Sequence, residues 1–93
     1  MEKKIEIKII GPIGAGKTTI AQEIVDMLRD KGFEVKWDVS PDYKKEEEAR
    51  KDGMERLYAL EKISERTPIT VSEVDTKNDI NESLNYRVKK YRG

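Results

Sequence analysis

Apolar and polar residues alternate in three separate stretches of the chain, at residues 3–10, 33–39 and 69–75. In the first stretch isoleucine occupies every second position from Ile5 to Ile9, and Glu or Lys stands between. A period of two places successive side chains on opposite faces of a strand. Each stretch is therefore predicted to form a strand with one buried face and one solvated face.

A helical period separates the first two predicted strands, over residues 16–31. Apolar residues three or four positions apart share one face of an α-helix. The apolar row here consists of Ile20, Ile24 and Leu28, with Ala21 and Val25 beside it. Gly32 follows, and glycine is favoured just past a helix end. We predict one helix over residues 16–31 that is terminated by Gly32.

A second helix is predicted between the second and third strands. Ser40 is expected as its N-cap and Pro41 as its first residue, because these residue types favour these positions. Residues 42–52 are almost entirely charged, and Gly53 is expected to interrupt the helix. Residues 54–66 then resume an amphipathic pattern, which ends before a proline.

The order β-α-β-α-β predicts an α/β fold, because strand–helix–strand units form right-handed crossovers and a parallel sheet. We expect a small three-layer or two-layer sandwich with a mostly parallel three-stranded sheet. Residues 79–91 show both a helical stripe and a strand-like alternation, so a C-terminal helix and a fourth strand both fit. The sequence contains no repeat and no linker rich in Gly, Ser or Pro. Residues 1–93 are therefore expected to form a single domain.

The alternation within the strands conflicts with a sheet that is covered on both faces. Strands buried on both faces are usually apolar throughout. One face would then be thinly covered, crossed by long Lys and Glu side chains, or buried by self-association. A homo-oligomer is therefore among the expected arrangements.

Composition and charge narrow the chemistry of the chain. Its 93 residues are 35% hydrophobic and 41% charged, and the formal net charge is zero, so a nucleic-acid partner is not expected. The absence of cysteine and histidine excludes disulfides and removes the usual general base. No apolar run is long enough to cross a bilayer, which predicts a cytoplasmic protein with no membrane partner.

Residues 11–18, with the sequence GPIGAGKT, match the phosphate-binding pattern G-x-x-x-x-G-K-[ST]. The match lies between a predicted strand and a predicted helix, which is the context that its chemistry requires. Glycines let the backbone approach phosphate oxygens closely, and the unpaired amides at a helix start attract the anion. Lys17 would contact the β- and γ-phosphates, and the Thr18 hydroxyl would bind Mg²⁺.

The run GPIGAGKTTIA at residues 11–21 resembles the opening of the P-loop NTPases, in particular the nucleotide and adenylylsulfate kinases. The resemblance extends through the turn at residues 32–35, and the overall layout resembles small P-loop proteins encoded by bacteriophages. It implies a cradle of backbone amides from residues 13–18 and a contact between Thr19 and the α-phosphate. The implied nucleotide-binding residues are Gly11, Ile13, Gly14, Ala15, Gly16, Lys17, Thr18 and Thr19.

Two aspartates stand at the ends of predicted strands, Asp38 after the second and Asp75 in the third. Ligands of open parallel sheets bind at the carboxyl ends of the strands. The resemblance implies that Asp75 is the Walker B candidate for Mg²⁺ and that Asp38 positions Mg²⁺ or accepts a proton. The predicted catalytic residues are Lys17 and Asp38, and the predicted metal ligands are Thr18, Asp38 and Asp75. An ordinary solvated aspartate is the alternative at both strand ends.

Two further features bear on the ligand. Arg50 and Arg56 are the nearest candidates for an arginine that contacts phosphate. Residues 76–79 match the guanine-reading pattern [NT]-K-x-D, but the sequence contains no D-x-x-G, so ATP is expected in preference to GTP.

The leading hypothesis is Mg²⁺-dependent binding of a nucleoside triphosphate, ATP or GTP, with NTPase or kinase-like phosphotransferase activity. The lid of the kinases, with its paired arginines, is not recognisable in the sequence. A second hypothesis is therefore a regulator or sequestering protein that binds nucleotide without turnover. A third is a truncated or designed P-loop scaffold, which the high Lys and Glu content and the absence of Cys and His would fit.

Overall fold

The computed structural model describes residues 3–76 of the chain. This part contains three helices, α1 at Lys17–Asp30, α2 at Glu46–Ala49 and α3 at Gly53–Arg66. Helices make up 43% of it, and it contains no strand or sheet. The predicted α/β sandwich with a three-stranded parallel sheet is therefore wrong. The helix or fourth strand predicted at residues 79–91 lies outside the described part.

The three stretches predicted as strands have no strand partners in the described part. Their apolar side chains are left in solvent: Ile5 and Ile10 are each 90% exposed, and Val71 is 88% exposed. Alternation indicates which side chains would share a face, but a strand is stable only when its backbone pairs and that face is covered. Here helices α1 and α3 pack on each other and do not cover a sheet.

The predicted helix over residues 16–31 is confirmed as α1. Its C-terminus forms the hydrogen-bond pair of a Schellman motif. The Gly32 N–H donates to Arg29 O at 3.0 Å, and the Phe33 N–H donates to Leu28 O at 3.1 Å. Gly32 has φ +93°, a left-handed conformation that glycine adopts without strain. Gly32 therefore terminates the helix, as predicted.

The predicted start of the second helix at Ser40 and Pro41 is wrong. The Tyr43 N–H donates to Ser40 O at 2.9 Å, which closes a turn at this point. Of the charged residues 42–52, only the four residues of α2 are helical. Three consecutive glutamates begin α2. Their helix propensity alone does not stabilise a longer helix, because short helices depend on tertiary packing.

Helix α3 begins at Gly53, where the sequence predicted an interruption. The Asp52 side chain caps the helix, because its Oδ1 accepts the Glu55 N–H at 2.9 Å. Gly53 therefore occupies the first helical position and not the interior, where glycine would destabilise a helix. The amphipathic helix predicted over residues 54–66 is confirmed as α3.

Helices α1 and α3 lie antiparallel against each other. The start of α1 contacts the end of α3, because a Cβ built on Gly16 would lie 2.5 Å from Ile63 Cδ1. Further along α1, Asp26 Oδ2 accepts from Arg56 Nη1 at 2.6 Å, near the start of α3. Chain direction thus brings the last turn of α3 beside residues 11–18.

The packed face of α1 is more polar than the apolar row predicts. Its buried residues are Thr19, Gln22 and Val25, whereas Ile20, Ile24 and Leu28 are half-buried. Gln22 is 2% exposed, donates from Nε2 to Lys51 O at 2.9 Å and accepts the Lys51 N–H on Oε1 at 2.9 Å. These two bonds satisfy the buried amide and anchor the chain just before α3.

Candidate functional site

The predicted phosphate-binding segment, residues 11–18 and called the phosphate loop below, is a tight turn whose last two residues begin α1. The Ala15 N–H donates to Pro12 O at 3.2 Å and closes the turn. Gly14 has φ +85° and Gly16 has φ +99°. An L side chain is strained in this left-handed region, so the backbone path of the loop requires glycine at both positions.

The loop ends at an uncapped helix N-terminus. Gly16 is the N-cap of α1 and has no side chain to accept the first amides of the helix. Those amides have no intrahelical acceptor. They and the helix dipole place partial positive charge at the end of the loop, where Thr18 lies half-buried in the first turn.

The side chain of Lys17 folds back over the loop. Its Nζ donates to Gly11 O and to Pro12 O, both at 2.8 Å. Both acceptors are neutral carbonyls, and within residues 3–76 no carboxylate pairs with Lys17. The amine at the beginning of the loop is therefore held by neutral acceptors and is not paired with a carboxylate of the described part.

The last turn of α3 packs on the end of the phosphate loop. Ile63 is 6% exposed and lies so close to Gly16 that no Cβ fits between them. Arg66 follows three positions later, and side chains at i and i+3 share one face of a helix. The packing of Ile63 thus aims the face that carries Arg66 toward the loop.

A cleft of about 490 Å³, called the loop cleft below, lies between the phosphate loop and the end of α3. Its lining residues are Pro12, Ile13, Gly14, Ala15, Arg66, Thr67 and Pro68. One wall is therefore the predicted phosphate-binding backbone, and the other carries a guanidinium. Of the predicted binding residues, the cleft brings together Ile13, Gly14 and Ala15.

The predicted α-phosphate contact, Thr19, lies on the packed face of α1. Thr19 is only 4% exposed, and it lies three positions before the buried Gln22 on the same helix. The threonine side chain thus contributes to helix packing, and only its backbone amide belongs to the uncapped first turn.

The two predicted acidic residues have different surroundings. The side chain of Asp38 is 84% exposed and pairs with Lys36 Nζ at 3.5 Å. Asp75 lies half-buried near the end of the described part. Within residues 3–76, no three His, Cys, Asp or Glu side chains converge as a metal site. No described contact joins Asp38 to Thr18 or Lys17.

Arg50 and Arg56, the nearest candidates for an arginine that contacts phosphate, bind a carboxylate of α1 instead. Arg50 Nη2 donates to Asp26 Oδ1 at 2.8 Å, and Arg56 Nη1 donates to Asp26 Oδ2 at 2.6 Å. The Arg50 guanidinium also lies 5.6 Å from the Trp37 ring centroid. Asp26 follows Gly16 by ten residues, or about 15 Å of helix, so neither arginine faces the loop.

Two further pairs, Arg29 with Glu46 and Arg56 with Glu23, complete the ion cluster. Arg56 Nε lies 3.6 Å from Glu23 Oε1. The cluster is defined here as Glu23, Asp26, Arg29, Glu46, Arg50 and Arg56. Arg29 binds Glu46 with two hydrogen bonds, at 2.8 and 3.0 Å. The hydrogen bond from Arg50, with one from Arg56, lowers the pKa of Asp26 from 3.8 to about 2. The hydrogen bond from Arg29 lowers the pKa of Glu46. The cluster thus ties α2 and α3 to α1 through charges that are already compensated.

Sequence reasoning missed the place of Arg66 beside the loop. Arg66 resembles any basic residue in the last turn of a helix, where such residues are common. The available signal was the third motif glycine, whose lack of a side chain permits close packing, combined with the i, i+3 spacing of Ile63 and Arg66. The partner of Gly16 is a long-range contact, which the sequence pattern does not identify.

Comparisons with protein-family models, curated proteins and solved structures find no match for this chain. Within residues 3–76, no helix combines the length and the apolar character needed to cross a bilayer.

Proposed function

We propose that this chain binds a nucleoside triphosphate together with Mg²⁺ at the phosphate loop, ATP in preference to GTP. The observation that carries the proposal is the position of Lys17, whose amine is held over the loop by two neutral carbonyls. Phosphate oxygens can replace these carbonyls as acceptors and add a charge-assisted interaction that the carbonyls lack.

The other parts of the loop support the same ligand. The left-handed Gly14 and Gly16 bring the backbone round to the uncapped start of α1, where amides and the helix dipole favour an anion. Lys17 would bind the β- and γ-phosphates. Thr18 offers one hydroxyl to Mg²⁺, which usually keeps several waters and takes few protein ligands beside the phosphates.

A phosphotransferase or NTPase reaction would need a base, and the lack of histidine leaves Asp38 as the proposed residue. In that reaction Lys17 and the loop amides stabilise charge on the transferred phosphoryl group. Asp38 would accept the proton of the attacking hydroxyl or water. One observation favours the second candidate, a nucleotide-binding protein without turnover: Asp38 is exposed and pairs with Lys36, two residues away.

Isothermal titration of Mg·ATP and Mg·GTP into the wild type and Lys17→Ala tests binding. We expect Lys17→Ala to weaken Mg·ATP binding about a hundredfold or more, because it removes the ammonium group that donates into the loop. Lys31→Ala is the matched control, since it removes an exposed lysine after the other end of α1. Equal affinities of wild type and Lys17→Ala would overturn the proposal.

Phosphate release under saturating Mg·ATP separates the two candidate functions. Release above the Lys17→Ala background, and lost in Asp38→Asn, indicates an enzyme that uses Asp38 as base. Release at the Lys17→Ala background, with tight binding retained, indicates a protein that binds nucleotide without turnover.

A further inference from the structure

One arginine of the described part differs from the others in its partners. Residues 3–76 contain Arg29, Arg50, Arg56 and Arg66. The first three each bind a carboxylate of the ion cluster. Arg66 is exposed and forms no ion pair or hydrogen bond with any residue of the described part. Its charge is therefore free to meet an external anion.

Arg66 lines the same cleft as a loop residue that also holds the amine of Lys17. Pro12 lines the loop cleft together with Arg66. The carbonyl of the same Pro12 accepts from Lys17 Nζ at 2.8 Å. Pro12 thus accepts from one cation and shares the loop cleft with another, and no carboxylate of the described part pairs with either cation.

We propose that Arg66 binds the terminal phosphate of the nucleoside triphosphate, and so makes the site selective for triphosphate over diphosphate. This inference rests on the function proposed above. Lys17 is the proposed contact of the β- and γ-phosphates, and Pro12, which accepts from its amine, also lines the loop cleft with Arg66. A guanidinium suits this place, because its planar fork binds two phosphate oxygens at once.

The position of Arg66 is set by packing. Ile63, one turn earlier, is fixed against Gly16, and the Thr67 N–H donates to Ile63 O at 2.8 Å to close the last turn. This turn keeps Arg66 beside the loop while its side chain remains in solvent. The same chain therefore supplies both cations of the proposed site, Lys17 and Arg66.

The test compares Mg·ATP and Mg·ADP affinities of the wild type, Arg66→Ala, Arg66→Lys and Lys62→Ala by isothermal titration. We expect Arg66→Ala to weaken Mg·ATP binding about tenfold to a hundredfold and Mg·ADP binding less than about threefold. Arg66→Lys should fall between wild type and Arg66→Ala, because it keeps the charge and loses the bidentate geometry. Lys62→Ala removes a cation one turn away, which lies over the Tyr58 ring, and should bind like the wild type.

Each other outcome overturns the inference in a distinguishable way. Equal losses for Mg·ATP and Mg·ADP would place Arg66 against the base, the ribose or an inner phosphate. Unchanged binding in Arg66→Ala, together with loss in Lys17→Ala, would remove the inference and leave the proposed function intact. A wild type that binds neither nucleotide would remove both. Circular dichroism at 222 nm checks that the Arg66 variants keep their helices.

Discussion

Helix α1 carries cations with different kinds of partner in its two halves. At its first residue, Lys17 donates to two neutral carbonyls of the phosphate loop. In its second half, Asp26 accepts from Arg50 and Arg56, while Arg29 pairs with Glu46. At the start of α1 the cation can therefore exchange its neutral partners for a ligand. In the second half of α1 the cations are already paired with carboxylates.

This difference explains why residue type alone does not identify a candidate phosphate site. A carbonyl can be exchanged for a phosphate oxygen with a gain in charge pairing. A carboxylate partner cannot be given up without leaving a charge uncompensated in a partly buried place. The loop is thus suited to a ligand, whereas the ion cluster is suited to holding the helices together.

The largest effect is expected at Gly16, where the two regions share the α1–α3 contact. Gly16→Ala should lower the free energy of unfolding by about 3 kcal/mol, since it adds backbone strain at φ +99° and a clash with Ile63. Urea unfolding measures it. Gly11→Ala is the matched control and should change stability by less than about 0.5 kcal/mol, because its Cβ would meet neighbours only at 3.8 Å.

A double mutant separates the clash from the strain. Ile63→Ala removes the side chain that Gly16→Ala would meet, so the two changes together should cost less than the sum of their separate costs. Strict additivity would show that α3 does not rest on the loop in solution.

Breaking the ion cluster should have the next largest effect. Asp26→Asn should lower the free energy of unfolding at pH 7 by about 2 kcal/mol, between the values for exposed and fully buried pairs. The side chains of Asp26 and Arg50 are 28% and 30% exposed, which justifies the intermediate value. Urea unfolding of Asp26→Asn and of Asp30→Asn, an exposed control on the same helix, gives the difference. Equal stability of the two variants would mean that the cluster contributes nothing.

The smallest effect is a loss of stability in acid. The pKa of Asp26 is about 2 in the folded chain against an ordinary value of 3.8, so its stabilisation is present above about pH 4 and lost as pH falls toward 2. After allowance for solvent screening, we expect a loss of about 1 kcal/mol over this interval. Urea unfolding at pH 4, 3 and 2 gives the free energy of unfolding at each pH. Between pH 4 and 2 this free energy should fall less for Asp26→Asn than for the wild type, and Glu46 should account for the fall that remains. An equal fall in the two proteins would contradict the assignment.

The helices could be predicted from neighbouring residues, whereas the sheet depended on contacts between residues distant in the chain. The apolar period of α1 and the left-handed Gly32 are properties of neighbouring residues, and both were read correctly from the sequence. The sheet depends on partners distant in the chain. The polar face of α1, with Gln22 and Asp26, binds the start of α3 and leaves the alternating stretches without cover.

The candidate site divides in the same way. The glycines, Lys17 and Thr18 belong to a motif of eight consecutive residues, so the sequence alone is enough to predict them as site residues. Arg66 lies about fifty residues further on and reaches the loop only through the contact between Ile63 and Gly16. The sequence pointed to Arg50 and Arg56 because it shows charges and not their partners.

The thermal midpoint of unfolding, measured with and without Mg·ATP, tests the contrast between the two regions most directly. At a nucleotide concentration a hundred times Kd, the wild type should gain about 10 °C. Lys17→Ala should keep the midpoint of the free protein and lose most of this gain. Asp26→Asn should unfold at lower temperature and keep the gain. A gain retained by Lys17→Ala, or lost by a folded Asp26→Asn, would contradict the account.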